Sequence, residues 1–189
     1  MLTLLLLIAL FVGDLPSVAV ADSAMFEKTR AQAEQGDAQA QMALGAIYLA
    51  GREIPQDYAE ALLWYCKAAN QGHAEAQFYL GVMYERGQGV PLNFAEAVQW
   101  YRKAADQGYA EAQYNLGILY AMGGGVAQDY VQAHMWLNLA AAHFPAGHYR
   151  DDAVTVRDLV VAPNMTTAQI TQAQKLAREW KPTALKPPT

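Results

Sequence analysis

The stretch AQMALGAIY at residues 40–48 decides the fold, because it returns twice at a fixed interval. It recurs as AQFYLGVMY at residues 76–84 and as AQYNLGILY at residues 112–120, so the period is 36 residues. An Ala-x-x-Trp segment keeps the same register at residues 61–64, 97–100 and 133–136. A strict period of this length is typical of helical repeat arrays, in which neighbouring units bury each other's apolar faces.

Each unit is predicted to fold as two helices. The first helices are expected over residues 38–50, 74–86 and 110–122, and the second helices over residues 58–71, 94–107 and 130–143. A glycine just past a first helix favours the left-handed turn that ends it, as Gly51, Gly87 and Gly123 do here. Each second helix starts with an Asp or Asn that precedes a Glu or Gln by three residues. That spacing predicts a reciprocal capping box in every repeat.

A further glycine lies inside the first helix of each unit, at residues 45, 81 and 117. Glycine in a helix interior costs about 1 kcal/mol relative to alanine, so three copies imply a compensating benefit. We expect that benefit to be close approach of the partner helix. Leu44, Tyr48 and Trp64, with their counterparts, are expected to fill the space between helices.

These segments resemble the Sel-1-like branch of tetratricopeptide-type repeats. The resemblance rests on Ala-Gln-x-x-Leu-Gly-x-x-Tyr, the glycine-rich turn, Ala-x-x-Trp and the closing Ala-Ala-x-x-Gly, and it covers residues 36–143. Glu53 departs from the glycine found at residues 89 and 125, and Phe144 replaces the closing glycine of the third unit. The resemblance implies an all-α, right-handed α-solenoid with helical caps, and an adaptor role of the kind common in bacterial envelopes.

The two ends are predicted to differ from the repeats. Leu2–Val12 is almost wholly apolar and is followed by a small-residue site, so residues 1–21 are interpreted as a signal peptide cleaved before Asp22. An uncleaved anchor is the main alternative, although the apolar run is shorter than the roughly 20 residues of a membrane span, and a cytosolic protein is the third interpretation. Residues 22–35 are expected to form an N-terminal capping helix. Residues 144–180 are expected to form a C-terminal helical cap with a capping box at Thr166 and Gln169, and residues 181–189 a flexible tail. The mature protein is therefore expected to be exported, as a periplasmic or secreted protein without a membrane span.

The composition narrows the class of partner. The formal net charge is −5 and no Lys/Arg run is present, so nucleic acid is a poor candidate partner. The single cysteine, Cys66, excludes a disulfide framework within one chain. Its counterparts in the other repeats are Arg102 and Asn138, which predicts a solvent-facing thiol.

No arrangement of residues points to catalysis. The only serine after the leader is Ser23, and no Ser-x-x-Lys or Gly-x-Ser-x-Gly nucleophile is present. The four histidines lack metal-ligand spacing, and His134 takes the position of Leu62 and Val98, which predicts a packing role. We therefore expect no enzyme activity, no metal and no small-molecule cofactor.

The first helices differ from one another on one face, which in tetratricopeptide arrays lines a concave groove. Met42, Phe78 and Tyr114 form a ladder of large residues on it, with one residue per repeat. The predicted partner-binding residues are Met42, Leu49, Glu75, Phe78, Val82, Glu85, Arg86, Glu111, Tyr114, Ile118 and Met122. We expect a protein or peptide partner with apolar anchors to bind there. The competing interpretation is that Phe78 and Tyr114 only pack against adjacent helices.

Two other functions remain open from the sequence. One is a hydrolase that acts on an envelope substrate, in line with the β-lactamase label of cysteine-rich relatives. The other is a permanent structural subunit of an envelope complex.

Overall fold

The computed structural model describes residues 17–52 and 54–183, and these residues form α-helices without any strand. The helices, in chain order, are α1 (Ser17–Glu34), α2 (Ala38–Ala50), α3 (Tyr58–Asn70), α4 (Ala74–Arg86), α5 (Phe94–Ala105), α6 (Ala110–Met122), α7 (Tyr130–His143), α8 (His148–Thr155) and α9 (Thr167–Glu179). A π-helical turn (Val156–Val161) and a 3-10 turn (Ala162–Asn164) connect α8 to α9.

The helices pair in the order that the repeat predicts. Within the three repeats, α2 packs on α3, α4 on α5 and α6 on α7, and each repeat contacts the next through α3–α4 or α5–α6. Helix α1 packs on α2 at one end, and α8 and α9 pack on α7 at the other. The chain is thus an α-solenoid, which confirms the predicted fold class.

The ends of the first helices agree with the sequence prediction. The glycines that follow them have φ of 63°, 66° and 72°, and each donates its N–H to a carbonyl four residues earlier. The left-handed conformation turns the chain back towards the second helix of the same repeat. These glycines are Gly51, Gly87 and Gly123.

The predicted capping boxes of the three second helices form only in part. Asp57, Asn93 and Asp129 each accept two N–H groups from the first turn of their helix. No side chain returns the bond, because the N–H of each capping residue already donates to the carbonyl of Tyr48, Tyr84 or Tyr120 at distances of 2.8–3.0 Å. The complete reciprocal box is the one predicted at Thr166 and Gln169, which starts α9.

The helix-interior glycines allow close approach, as the sequence predicts, and what approaches is a side chain. A Cβ at Gly45 would lie 2.7 Å from the Tyr65 ring, and a Cβ at Gly81 would lie 2.5 Å from the Tyr101 ring. In the third repeat Leu137 takes the place of these tyrosines, 2.8 Å from a Cβ at Gly117. Tyr65, Tyr101 and Leu137 are fully buried, so they are core residues that the repeat comparison did not identify.

A chain of buried amides joins consecutive repeats. Gln41, Gln77 and Gln113 donate to the carbonyls of Ala33, Ala69 and Ala105 in the preceding helix, at 3.0–3.1 Å. Their side-chain oxygens face Gln71, Gln107 and His143 at 2.7–2.8 Å. Since each glutamine has both a donor and an acceptor partner, these side chains fix the register between units without leaving unpaired polar groups.

Two features at the ends of the array lie next to the predicted boundaries. Helix α1 starts at Ser17 and so includes the predicted cleavage position between Ala21 and Asp22. The tail is anchored at its start, because the Thr183 N–H donates to the Asp106 carbonyl at 2.7 Å. The apolar leader segment Leu2–Val12, Glu53 and the remaining tail residues 184–189 lie outside the described residues.

Candidate protein-binding groove

Six of the eleven predicted binding residues line one cavity of about 510 Å³. We call this cavity the groove. Helix α4 contributes Phe78, Val82, Glu85 and Arg86, and α6 contributes Glu111 and Tyr114. Three further lining residues were not predicted from the sequence, and they are Asn115, Phe144 and Tyr149. A volume of this size lies within the usual range of ligand-binding clefts.

The floor of the groove is a polar contact on a buried ring. The Tyr101 hydroxyl donates to the Glu85 carboxylate, and the Asn115 side chain approaches the same hydroxyl. Burial, with the adjacent carboxylate, raises the pKa of Tyr101 well above its usual value, so the phenol stays protonated and remains a donor. This hydrogen bond therefore restrains the Glu85 carboxylate at the floor of the groove.

The walls of the groove are aromatic. The Phe78 ring lies 5.3–5.7 Å from the rings of Tyr79, Tyr101 and Tyr109, measured between centroids. Across the groove, the Tyr114 ring meets Phe144 edge-on at 6.5 Å. Phe78 and Tyr114 are both half-buried, so each packs against neighbouring helices and also keeps part of its surface open to the groove.

The third aromatic wall comes from the C-terminal cap. Phe144 stacks with Tyr149 at the start of α8, with 5.8 Å between the ring centroids. Phe144 is buried whereas Tyr149 is 72% exposed, so Tyr149 presents most of its ring to solvent. The cap thereby closes one side of the groove that a further repeat would otherwise continue.

The equivalent junction between the first two repeats is filled. There, Tyr79 takes the position of Asn115, and its ring stacks on Tyr65 with 5.2 Å between centroids and 7° between planes. Tyr79 packs against the core cluster that contains Met42, which is only 7% exposed. The prediction that Met42 forms an exposed rung of the ladder is therefore wrong, because the neighbouring repeat supplies an aromatic side chain that covers this cluster.

The remaining predicted residues lie outside the groove. Leu49 packs against the cluster around Tyr65, and Ile118 packs against the core of the third repeat. Glu75 is half-buried in the first turn of α4, and burial, followed by the charges of Glu111 and then Glu75, raises the pKa of the Tyr109 phenol. Met122 is 71% exposed at the end of α6.

The charges around the groove are acidic on balance. Glu85 and Glu111 line it together with one cation, Arg86, which is exposed in the last turn of α4. None of the ion pairs within the described residues includes Arg86 or Glu111. Both charges therefore stay available to a bound molecule.

The candidate catalytic and metal-binding side chains are dispersed. Cys66 is half-buried, and burial raises the pKa of its thiol, which disfavours the reactive thiolate. His134 is buried, with 3% exposed, which agrees with its predicted packing role. His143 contacts Gln113 whereas His148 pairs with Asp152, so the two histidines have separate partners. Among the described residues, no three His, Cys, Asp or Glu side chains cluster as metal ligands would.

Signals for the missed lining residues are present in the sequence. Phe144 occupies the position of the closing glycine, and Asn115 is polar where Tyr79 is aromatic. Neither difference reveals a cavity until the neighbouring helix is placed beside it. Tyr149 follows the last repeat, so no counterpart exists with which to compare it.

Comparison with known proteins identifies the repeat. The sequence model of the Sel1 repeat matches residues 38–73, 74–109 and 110–143. The crystal structure of a Sel1 repeat protein from Oxalobacter formigenes is 34% identical and covers 75% of this chain and 59% of that chain, with a TM-score of 0.64. The crystal structure of c5321, a protective antigen present in uropathogenic Escherichia coli strains, displays an SLR fold. It is 36% identical and covers 79% of this chain and 33% of that chain, with a TM-score of 0.64.

The chain thus spans less than two thirds of the length of both solved proteins. No curated protein matches it. Among the helices of residues 17–52 and 54–183, none combines the length and the hydrophobicity that a bilayer-crossing helix needs. With three consecutive matches to the repeat, which together cover more than half of the sequence, the chain belongs to the Sel1 repeat family.

Proposed function

We propose that this protein is a non-catalytic interaction module that binds a peptide segment of a partner protein in the groove between α4, α6 and α8. Sel1 repeats generally serve as protein-interaction modules, which supports the class of function. The observation that carries the proposal is the open junction at Asn115, which leaves aromatic walls around a polar floor.

The dimensions of the groove suit a peptide. Neighbouring helices of an array lie roughly 10 Å apart, whereas an extended chain rises about 3.3 Å per residue. Side chains about three residues apart in an extended segment would therefore reach Phe78 and Tyr114 in turn. A short helix would present anchors at similar spacing through residues i and i+3 or i+4.

A substitution taken from the protein's own repeat tests this function. Asn115→Tyr places over Tyr101 the side chain that Tyr79 already places over Tyr65, so it should fill the groove without disturbing the fold. The measurement is selection from a displayed library of random 12-residue peptides on the wild-type protein, followed by fluorescence anisotropy with the recovered peptides. We expect at least a tenfold loss of affinity in Asn115→Tyr and in Phe78→Ala/Tyr114→Ala.

Leu63→Ala is the matched control, because Leu63 is 47% exposed on α3 and does not line the groove. It should bind the same peptides as the wild type. Circular dichroism and the urea midpoint check that Asn115→Tyr is folded. Recovery of no peptide, or equal affinity in folded Asn115→Tyr, would show that the groove is not a peptide site.

A further inference from the structure

Resting on the function proposed above, we infer that the bound segment carries a lysine or arginine whose cationic group lies among Tyr114, Phe144 and Tyr149, next to Glu111. The groove there combines aromatic faces with a free carboxylate, which is the arrangement that attracts organic cations. Four observations support this assignment.

The first observation is the position of the carboxylates. Glu111 and Tyr114 are three residues apart on α6, so the carboxylate and the ring share one helix face. Asp152 of α8 adds a second negative charge close to Tyr114, and this charge contributes, after burial, to the raised pKa of the Tyr114 phenol. The His148 imidazole lies 2.9 Å from the Asp152 carboxylate, whereas Glu111 takes part in none of the ion pairs within the described residues.

The second observation concerns the rings. The protein places its own cations over aromatic rings outside the groove, with Lys67 over Trp64 at 3.7 Å and Lys103 over Trp100 at 3.7 Å. The Arg102 guanidinium lies 5.6 Å from the Tyr120 ring centroid and donates to the Tyr120 hydroxyl. In the part of the chain that the structure describes, no lysine or arginine covers Tyr114, Phe144 or Tyr149. The rings of Phe144 and His148 stack on Tyr149 at 5.8 and 6.0 Å between centroids, but Tyr149 is still 72% exposed and this exposed surface is accessible to a cation from outside.

The third observation is the place of Arg86, which sets the direction of the segment. Arg86 on α4 occupies the repeat position that Met122 occupies on α6. Because an α-helix rises about 16 Å between residues 111 and 122, Arg86 and Glu111 mark opposite ends of the groove. Arg86 would repel a cation at its end of the groove. The basic side chain is therefore assigned to the Glu111 end, and a neutral or acidic side chain to the Arg86 end.

The fourth observation is the net charge of −5, which favours approach of a basic segment. The same charge would also attract basic peptides to any part of the surface. For that reason the test must separate binding in the groove from general attraction.

The test uses the peptides recovered from the random 12-residue library on the full-length protein. We expect enrichment of Lys or Arg at one position. We also expect at least a fivefold loss of affinity when that residue is replaced by norleucine, which keeps the apolar stem and removes the charge. Glu111→Gln should weaken binding by about threefold at low salt, in line with exposed ion pairs. Glu27→Gln on α1 changes the net charge equally and should leave the affinity unchanged.

Tyr149→Leu separates aromatic from apolar contact, because it keeps an apolar side chain and removes the ring. This substitution should lower the affinity for the peptide with Lys or Arg by about threefold and leave the affinity for the norleucine peptide unchanged. Peptides that lose affinity in Asn115→Tyr but show no basic preference would overturn this inference and leave the proposed function intact. If no recovered peptide depends on Asn115, the proposed function fails and this inference fails with it.

Discussion

At the scale of single residues, two positions that the repeat makes equivalent have opposite effects. Tyr79 stacks on Tyr65 and fills the first junction, whereas Asn115 approaches the Tyr101 hydroxyl and leaves the second junction open. The buried hydroxyls differ accordingly. Among the residues that the structure describes, the Tyr65 hydroxyl has no hydrogen-bond partner, whereas the Tyr101 hydroxyl donates to Glu85, whose counterpart in the first repeat is Leu49. Asn115 thus leaves the space of the groove open, and Glu85 with Tyr101 supplies its polar floor.

His134 is the residue through which we expect stability to depend on pH. Burial, with the nearby positive charge of Arg157, lowers the pKa of His134, and the carboxylate of Asp158 opposes this only in part. Between the ordinary histidine pKa of about 6.5 and the lower folded value, the unfolded chain binds a proton that the folded chain does not. The free energy of unfolding should therefore fall as the pH is lowered through that window.

The measurement is urea unfolding of the wild type and of His134→Val between pH 7.5 and 4.5. Valine occupies the same position in the second repeat, at Val98, so the variant should fold. The difference in unfolding free energy between the two proteins isolates His134, because all other titrating groups are shared. A difference that stays constant over the whole range would contradict the prediction.

At the scale of elements, the residues at the start of a second helix differ in whether they stabilise it. Asn93 accepts the N–H groups of Ala95 and Glu96, at 3.0 and 3.2 Å. Asn93→Ala should cost about 1 kcal/mol of unfolding free energy, because both amides lose their acceptor. Glu96→Ala should cost no more than a few tenths of a kcal/mol, because the Asn93 N–H is already bonded to Tyr84. Urea denaturation of both variants checks this. Equal losses of unfolding free energy would indicate that the reciprocal capping box forms after all.

The same elements explain how far the sequence could predict the structure. The ends of α2, α4 and α6 can be predicted from the glycine that directly follows each helix. Each N-cap can be predicted from one side chain and the first turn of the same helix. These are local interactions, so the pattern predicts them directly. The groove depends on which side chain of the next repeat lies beside Met42 or Phe78. That contact joins residues about one period apart, and it could be judged only once α4 and α6 were placed side by side.

At the scale of the whole molecule, the array is a chain of neighbours, because the main helix contacts join each repeat to the units directly before and after it. The elements at the two ends therefore have to cover the apolar faces of the first and last repeats. At the C-terminal end, Trp180 meets Trp136 edge-on at 6.5 Å and lies 5.4 Å from the His143 ring. Next to it, the Thr183–Asp106 hydrogen bond ties the following residues to the end of α5.

Trp180→Ala should therefore destabilise the array locally. We expect a loss of about 2 kcal/mol, at the low end for a tryptophan truncation because Trp180 is only half-buried. Native-state hydrogen exchange, read helix by helix, should show faster exchange in α7 and α9 and unchanged exchange in α2 and α3. Trp64→Ala is the matched substitution at the other end, where Trp64 packs with Ala33 and Leu44, and it should give the opposite pattern. If both variants accelerate exchange equally in all helices, the repeats unfold as one cooperative unit. The groove would then respond to changes at either end of the chain, because it shares the stability of every repeat.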